Sequence, residues 1–152
     1  MPTAVDEIAK RRECFESHLA QLREIGEESL LRRSRATCPC CGYPTLHDRG
    51  GFEICTLCFW EDDGQDDEDA GEVRGGPNHD YSLTEARANF AQHLTMYRPS
   101  DERPFKLETE RKTLTYKRQL IKTYEQVASG VGDEAELWRE ARRLERKKDR
   151  AV

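Results

Sequence analysis

Four cysteines constrain this chain more than any other feature. Cys38 and Cys41 form one Cys-x2-Cys pair, and after thirteen residues Cys55 and Cys58 form a second. A tetrahedral zinc ion takes four ligands, with Zn–S distances of about 2.3 Å. A Cys-x2-Cys turn brings two thiolates to one ion while the intervening backbone N–H groups point back at the sulfurs. Pro39 presets the backbone after the first ligand, and Gly42 permits a left-handed residue just after the second. The thirteen-residue spacer holds two short strand-like runs, Thr45-Leu46-His47 and Phe52-Glu53-Ile54, on either side of the turn Asp48-Arg49-Gly50-Gly51. If they pair, they return the second cysteine pair to the first, which is a zinc-ribbon layout. The expectation is one Zn(2+) per chain, held by Cys38, Cys41, Cys55 and Cys58.

Three other readings compete. Free cysteines are often buried as small hydrophobes, but five of them within residues 38–58 is too dense for that role alone. A Cys-x2-Cys pair also serves redox chemistry, yet two pairs joined by a hairpin favour metal. An iron–sulfur cluster uses four thiolates as well, and the spacing leaves it open. Cys40 is expected beside the site as a non-ligand, because Cys38 and Cys41 with Gly42 following make the better turn. Cys14 reads as a packing residue. The histidines His18, His47, His79 and His93 are scattered and read as surface or capping residues. A site closed by four thiolates keeps no position for water or substrate, unlike a catalytic zinc. No Gly-x-Ser-x-Gly, His-Glu-x-x-His or phosphate-binding loop occurs either. A non-enzymatic role is therefore expected.

The chain is 36% charged and 36% hydrophobic, so its core is thin and a metal staple would help it fold. No apolar run reaches the roughly 18 residues of a membrane span. The first residues lack a basic region followed by an apolar stretch, so no leader is expected. A cytoplasmic setting, where thiols stay reduced, follows as the expectation.

Charge is unevenly spread behind a net value of -5. Residues 48–85 hold twelve acidic and two basic side chains, whereas residues 98–152 hold fifteen basic and eleven acidic ones. That pattern argues against nucleic acid as the main partner and suits a basic protein. Eight of the twelve residues 61–72 are acidic. They read either as a solvated loop without secondary structure or as a nucleic-acid mimic, with Asp62, Asp63, Asp66 and Asp67 facing a basic partner. Trp60 beside them reads as an aromatic anchor for that partner or as packing over the metal hairpin.

Four helices are expected. The first runs from Thr3 to Ile25 with Thr3 as cap and Ile8, Phe15, Leu19, Leu22 and Ile25 on one stripe. The second opens at the capping box Ser82-Leu83-Thr84-Glu85 and stops before Pro99. A third spans residues 105–128 with Leu107, Leu114 and Ile121 seven apart. A last one starts at Asp133 and runs to about Lys148, with Leu137, Ala141 and Leu144 apolar.

Several motifs then follow in order: Cys38-Pro39-Cys40-Cys41-Gly42-Tyr43; Cys55-x-x-Cys58-Phe59-Trp60-Glu61-Asp62-Asp63-Gly64; Gly75-Gly76-Pro77-Asn78; and Ser82-Leu83-x-x-Ala86-Arg87-x-Asn89-Phe90. This series resembles the bacterial cysteine-rich CPCC family over about residues 36–97. The resemblance implies a zinc-binding domain in which Cys38, Cys41, Cys55 and Cys58 match the family's cysteine pairs. Proteins that look like this are often suspected immunity proteins against secreted toxins.

The combined expectation is an α+β chain, a small zinc-ribbon β-hairpin embedded among about four α-helices. Residues 1–35 and 98–152 would be helical extensions around a CPCC domain at 36–97. The chain would act as a protein-binding module, concretely an immunity protein that covers a basic toxin, possessing no membrane segment. The alternative is a zinc-ribbon nucleic-acid regulator using Arg139, Arg142, Arg143, Arg146, Lys147 and Lys148 as its contact.

Overall fold

The computed structural model describes residues 3–151, with side chains for residues 3–148. Five helices follow in order: α1 (Ala4–Glu24), α2 (Leu83–His93), α3 (Glu102–Thr109), α4 (Arg111–Ser129) and α5 (Glu134–Ala151). Short 3-10 turns cover Glu28–Leu31, Asp67–Asp69 and Gly76–Asn78.

The expected α+β class with a β-hairpin is overturned. Among the described residues there is no strand pair, only the isolated bridges Ala36 with Leu46, Ile54 with Glu61 and Val73 with Ser82. The reason is local. Thr45–His47 and Phe52–Ile54 do not pair with each other, because each flanks its own cysteine turn and bonds across that turn. The Ala36 N–H donates to the Leu46 carbonyl at 2.6 Å, and the Phe52 N–H donates to the Asp62 carbonyl at 2.9 Å. Phe52 also takes φ +59°, which no strand residue adopts.

Helix α1 begins as its sequence dictates. The Asp6 N–H donates to Thr3 Oγ1 and the Thr3 N–H donates to Asp6 Oδ2, a reciprocal cap. Ile8, Phe15, Leu19 and Leu22 are buried, while Ile25 caps the helix and is exposed. Ser82 caps α2 as expected, but that helix ends at His93, where Leu94 turns left-handed at φ +60°. The chain can then run back to the second cysteine pair, and the Met96 N–H reaches the Cys58 carbonyl at 2.7 Å.

The expected helix over residues 105–128 is two helices. Glu110 has ψ 147°, which breaks it between α3 and α4. The Leu107/Leu114/Ile121 repeat crosses that break, so it does not describe one face. Leu107 is exposed, and α4 buries Thr113, Lys117, Leu120, Thr123, Tyr124 and Val127 instead. Gly130, at φ +68°, ends α4 and lets the chain reverse. Asp133 then caps α5 through the Ala135 N–H, and the two helices pack antiparallel with Tyr124 against Trp138.

One hydrophobic core runs through residues of all three expected segments. Its centre is aromatic. Tyr43, just after the first cysteine pair, stacks on Tyr124 at 5.7 Å and meets Phe15 at 6.0 Å and Phe90 at 6.4 Å. Aromatic side chains bury the most area per residue, so these few rings tie α1, α2 and α4 to the cysteine segment.

Candidate metal centre

The structure brings Cys38, Cys41, Cys55 and Cys58 together, with all four sulfurs within 4.8 Å of one another. Each residue is fully buried. The Sγ···Sγ separation is 3.6 Å for Cys38 and Cys58 and 3.7 Å for Cys41 and Cys55. A disulfide would sit near 2.05 Å. A tetrahedron with Zn–S bonds of about 2.3 Å has edges of about 3.8 Å. The donor set therefore fits one tetrahedral ion. The expected non-ligand Cys40 is buried but lies outside the four-sulfur group, and Cys14 is exposed.

The two cysteine pairs fold by one plan. In the first, the Gly42 N–H donates to the Cys38 carbonyl and the Cys38 N–H to the Tyr43 carbonyl, both at 2.9 Å. In the second, the Phe59 N–H donates to the Cys55 carbonyl and the Cys55 N–H to the Trp60 carbonyl, again at 2.9 Å. The residue after each pair is left-handed, Gly42 at φ +81° and Phe59 at φ +74°. Gly42 meets two constraints, since a Cβ there would lie 3.1 Å from the Ile8 carbonyl oxygen of α1. Phe59 carries the strain of its φ, of order 1–3 kcal/mol, and its ring packs on Tyr97 at 5.9 Å.

Backbone N–H groups aim at the sulfurs, from Trp60 to Cys58 Sγ at 3.4 Å and from Cys58 to Cys55 Sγ at 3.5 Å. The Thr45 hydroxyl also lies 3.0 Å from Cys55 Sγ. Carbonyls on the outside of the first turn are held by cations. Arg11 donates to the Cys41 carbonyl at 2.6 Å and Arg87 to the Pro39 carbonyl at 2.9 Å. Beyond the second turn, Lys117 and Lys148 are buried against a single buried carboxylate, Glu108. Positive charge thus surrounds a site that becomes anionic when four thiolates bind a dication.

Burial raises the pKa of Cys38, Cys41 and Cys58 above the ordinary thiol value. Burial also pushes Cys55 upward, but hydrogen bonds from Cys38, Cys41 and Cys58 outweigh it and hold that thiol low. The pocket therefore favours one thiolate and resists three more. A bound cation supplies what deprotonates the set.

The acidic side chains expected at a partner surface divide, Asp62 and Asp66 turning into the fold and Asp67 staying exposed. Asp62 is fully buried; it accepts the Gly50 N–H at 2.6 Å and Arg49 Nε at 2.9 Å. Asp66 is clamped by Arg12 at 2.7 Å and Arg49 at 2.6 Å. Burial works against the charge on Asp66, but Arg12 and Arg49 hold its pKa well below the usual carboxylate range. Asp67, itself exposed, pairs with the buried Arg87 at 2.7 Å. Asp63 accepts the Gln65 N–H and caps a turn. Trp60 is fully buried, so its ring takes the packing role and offers nothing to a partner. The acidic segment 61–72, expected as a loop without secondary structure, contains the 3-10 turn Asp67–Asp69, and a second turn, Gly76–Asn78, follows it. Sequence reading missed Arg12, Arg49 and Arg87 as the partners of these acids. Arg87 lay inside the quoted motif, which was the available signal.

An expected result follows. Asp62→Asn loses charge-assisted bonds inside the fold and costs about 2 kcal/mol. Asp67→Asn, whose own carboxylate is exposed although its partner Arg87 is buried, costs less, about 1 kcal/mol. Thermal melting of the two variants separates a folded-in carboxylate from a solvated one.

Residues 36–106 match the model of a protein family described as Cysteine-rich CPCC. The match supports that family for the segment that builds the four-cysteine group. No curated protein and no solved structure matches the chain.

Proposed function

We propose that this chain is a non-enzymatic binding module stapled by one structural Zn(2+) on Cys38, Cys41, Cys55 and Cys58. The observation that carries the reading is the closed tetrahedron of four fully buried sulfurs. Structural zinc sites take four protein ligands, whereas catalytic ones leave a position open. The spacing of 3.6–3.7 Å suits a single ion better than a cluster, whose thiolates bind different irons and stand farther apart. A reducing, cytoplasmic setting suits the free thiols. Among the described residues no helix is long and apolar enough to cross a membrane.

The finer reading is an immunity protein that neutralises a toxin by covering it. Its support is the resemblance to cysteine-rich CPCC proteins; of the acidic segment, Asp62 and Asp66 are committed to the fold, whereas Asp67 and Glu68 stay exposed to a partner. Metal analysis of protein purified without added zinc tests the centre. About one equivalent of zinc per chain is expected; iron, or no metal in folded protein, overturns the assignment. Protection of cells by co-expression against a toxin encoded beside it tests the finer reading.

A further inference from the structure

The last helix and the turn after Leu31, distant in sequence, face each other across an open groove of about 330 Å³. Its lining is arginine throughout: Arg32, Arg139, Arg142, Arg143 and Arg146. The four from α5 recur at helical spacing and so share one face. Arg32 joins them from the end of the 28–31 turn, where its own φ is +66°. A neighbouring groove of about 700 Å³ shares Arg32 and adds Arg23 and Arg33, with Glu28 and Asp48 on its rim. Lys148, expected on the same basic face, is buried with Glu108 and takes no part.

Arg139 and Arg143 pair with Glu136 and Glu140 of the same helix, but these pairs are exposed and exchange readily with other partners. Arg142 lies 3.6 Å from Glu145, a carboxylate already taken by Arg33 and Arg35. The lining itself carries five guanidinium groups and no carboxylate, and their planar forks fit phosphate oxygens two at a time. No aromatic or aliphatic side chain lines it. It therefore lacks the apolar anchor of a protein hot spot and the stacking platform of a single-strand binder. Residues 139–146 rise about 10 Å along α5, the axial span of about three phosphates of one strand.

From these features we propose that the arginine groove binds the phosphodiester backbone of double-stranded nucleic acid, without reading base sequence. The whole-chain charge of -5 hides this site. Four of the eight carboxylates at residues 61–72, Asp62, Asp66, Asp67 and Asp69, pair with Arg49, Arg12, Arg87 and Arg74 away from the groove. The same net charge makes binding weak at physiological salt.

The test is fluorescence anisotropy of a labelled DNA duplex of mixed sequence with the metal-loaded full chain, between about 50 and 200 mM salt. The expected slope of log affinity against log salt is about -3, for about three neutralised phosphates. Arg139→Gln with Arg143→Gln lowers that slope by about 2 and weakens binding at low salt roughly tenfold. Arg139→Lys with Arg143→Lys keeps the slope but loses affinity, because the charge stays and the fork goes. Both pairs are on the surface, and unchanged metal content and melting confirm that the variants fold. Lys112→Gln with Lys122→Gln, two exposed cations of α4, serves as the control. Three results overturn the proposal: no saturable duplex binding at low salt; equal weakening by the α4 control pair; or displacement of the duplex by polyglutamate at equal charge, which makes an acidic polypeptide the ligand.

Discussion

Cys55→Ser is expected to strip the metal and unfold the cysteine segment together with the helices packed on it. Cys55 has no exposed surface, and its sulfur lies 3.7 Å from that of Cys41 and accepts the Cys58 backbone N–H at 3.5 Å. Structural zinc contributes apparent free energies of about 10–16 kcal/mol in small metal domains. That matches or exceeds the whole folding stability of an ordinary domain, about 5–15 kcal/mol. Nothing else replaces it here. The segment has no strand ladder, only isolated bridges, and its own buried apolar side chains are few: Tyr43, Leu46, Leu57 and Trp60 beside the cysteines. Tyr43 sits at the middle of the aromatic core, so loss of the first turn reaches α1 and α4. Cys40→Ser puts a hydroxyl into the same buried region without removing a ligand, and costs about 1–3 kcal/mol. Metal content and thermal melting, with and without chelator, read both variants. Loss of metal in Cys40→Ser with retention in Cys41→Ser would show that the ligand set is wrong.

The metal centre was legible because its chemistry is written as spacing. Two Cys-x2-Cys pairs and a following Gly42 predict the set that the fold brings together. The hairpin was not legible, and the reason is physical. The short run Phe52–Ile54 alternates too briefly to fix a partner, and the hydrogen bonds that close each turn on itself take the same backbone groups. Helices α1 and α2 were readable from their caps, Thr3 and Ser82. The Glu110 break was not, because neither Pro nor Gly marks it, and the leucine repeat across it mimics one stripe.

The acidic segment shows where composition misleads. Charge runs repel themselves into solvent unless cations meet them, and those cations came from elsewhere: Arg12 in α1, Arg49 between the pairs, Arg87 in α2. The polar residues of the quoted motifs share this inward role. Asn78 closes both backbone groups of Glu61, Asp62 takes the N–H groups of Gly50 and Gly64, and Asn89 holds the Met96 carbonyl. The pattern that identifies the segment thus encodes how it folds.

Glu145→Gln is the second large effect. This carboxylate on α5 is buried and meets Arg35 Nη1 at 2.6 Å, Arg33 Nη2 at 3.1 Å and the Tyr124 hydroxyl. Arg35 has no exposed side-chain surface. It also donates to the carbonyls of Leu31 and Pro44 and stacks over Trp138 at 4.7 Å. The network therefore ties α5 to the shoulder of the first cysteine turn. Taking the charge from Glu145 leaves Arg35 buried without its counter-ion, a change worth about 3–5 kcal/mol. At about 2–4 °C per kcal/mol for a chain of this size, the melting temperature falls by about 6–20 °C. Adding Arg35→Met to Glu145→Gln recovers part of the loss, because the stranded charge goes with its partner. The pH dependence has a definite sign. Burial pushes Glu145 up, but Arg35 and Arg33 outweigh it, so its folded pKa lies below the ordinary value. Its contribution is complete above the unfolded carboxylate value of about 4.3 and is lost as pH falls through the folded one. The gap in melting temperature between parent and Glu145→Gln should therefore be constant near neutrality and close below about pH 4. A variant that melts with the parent at neutral pH, or a gap that stays open in acid, would mean that this buried network does not hold α5 in place.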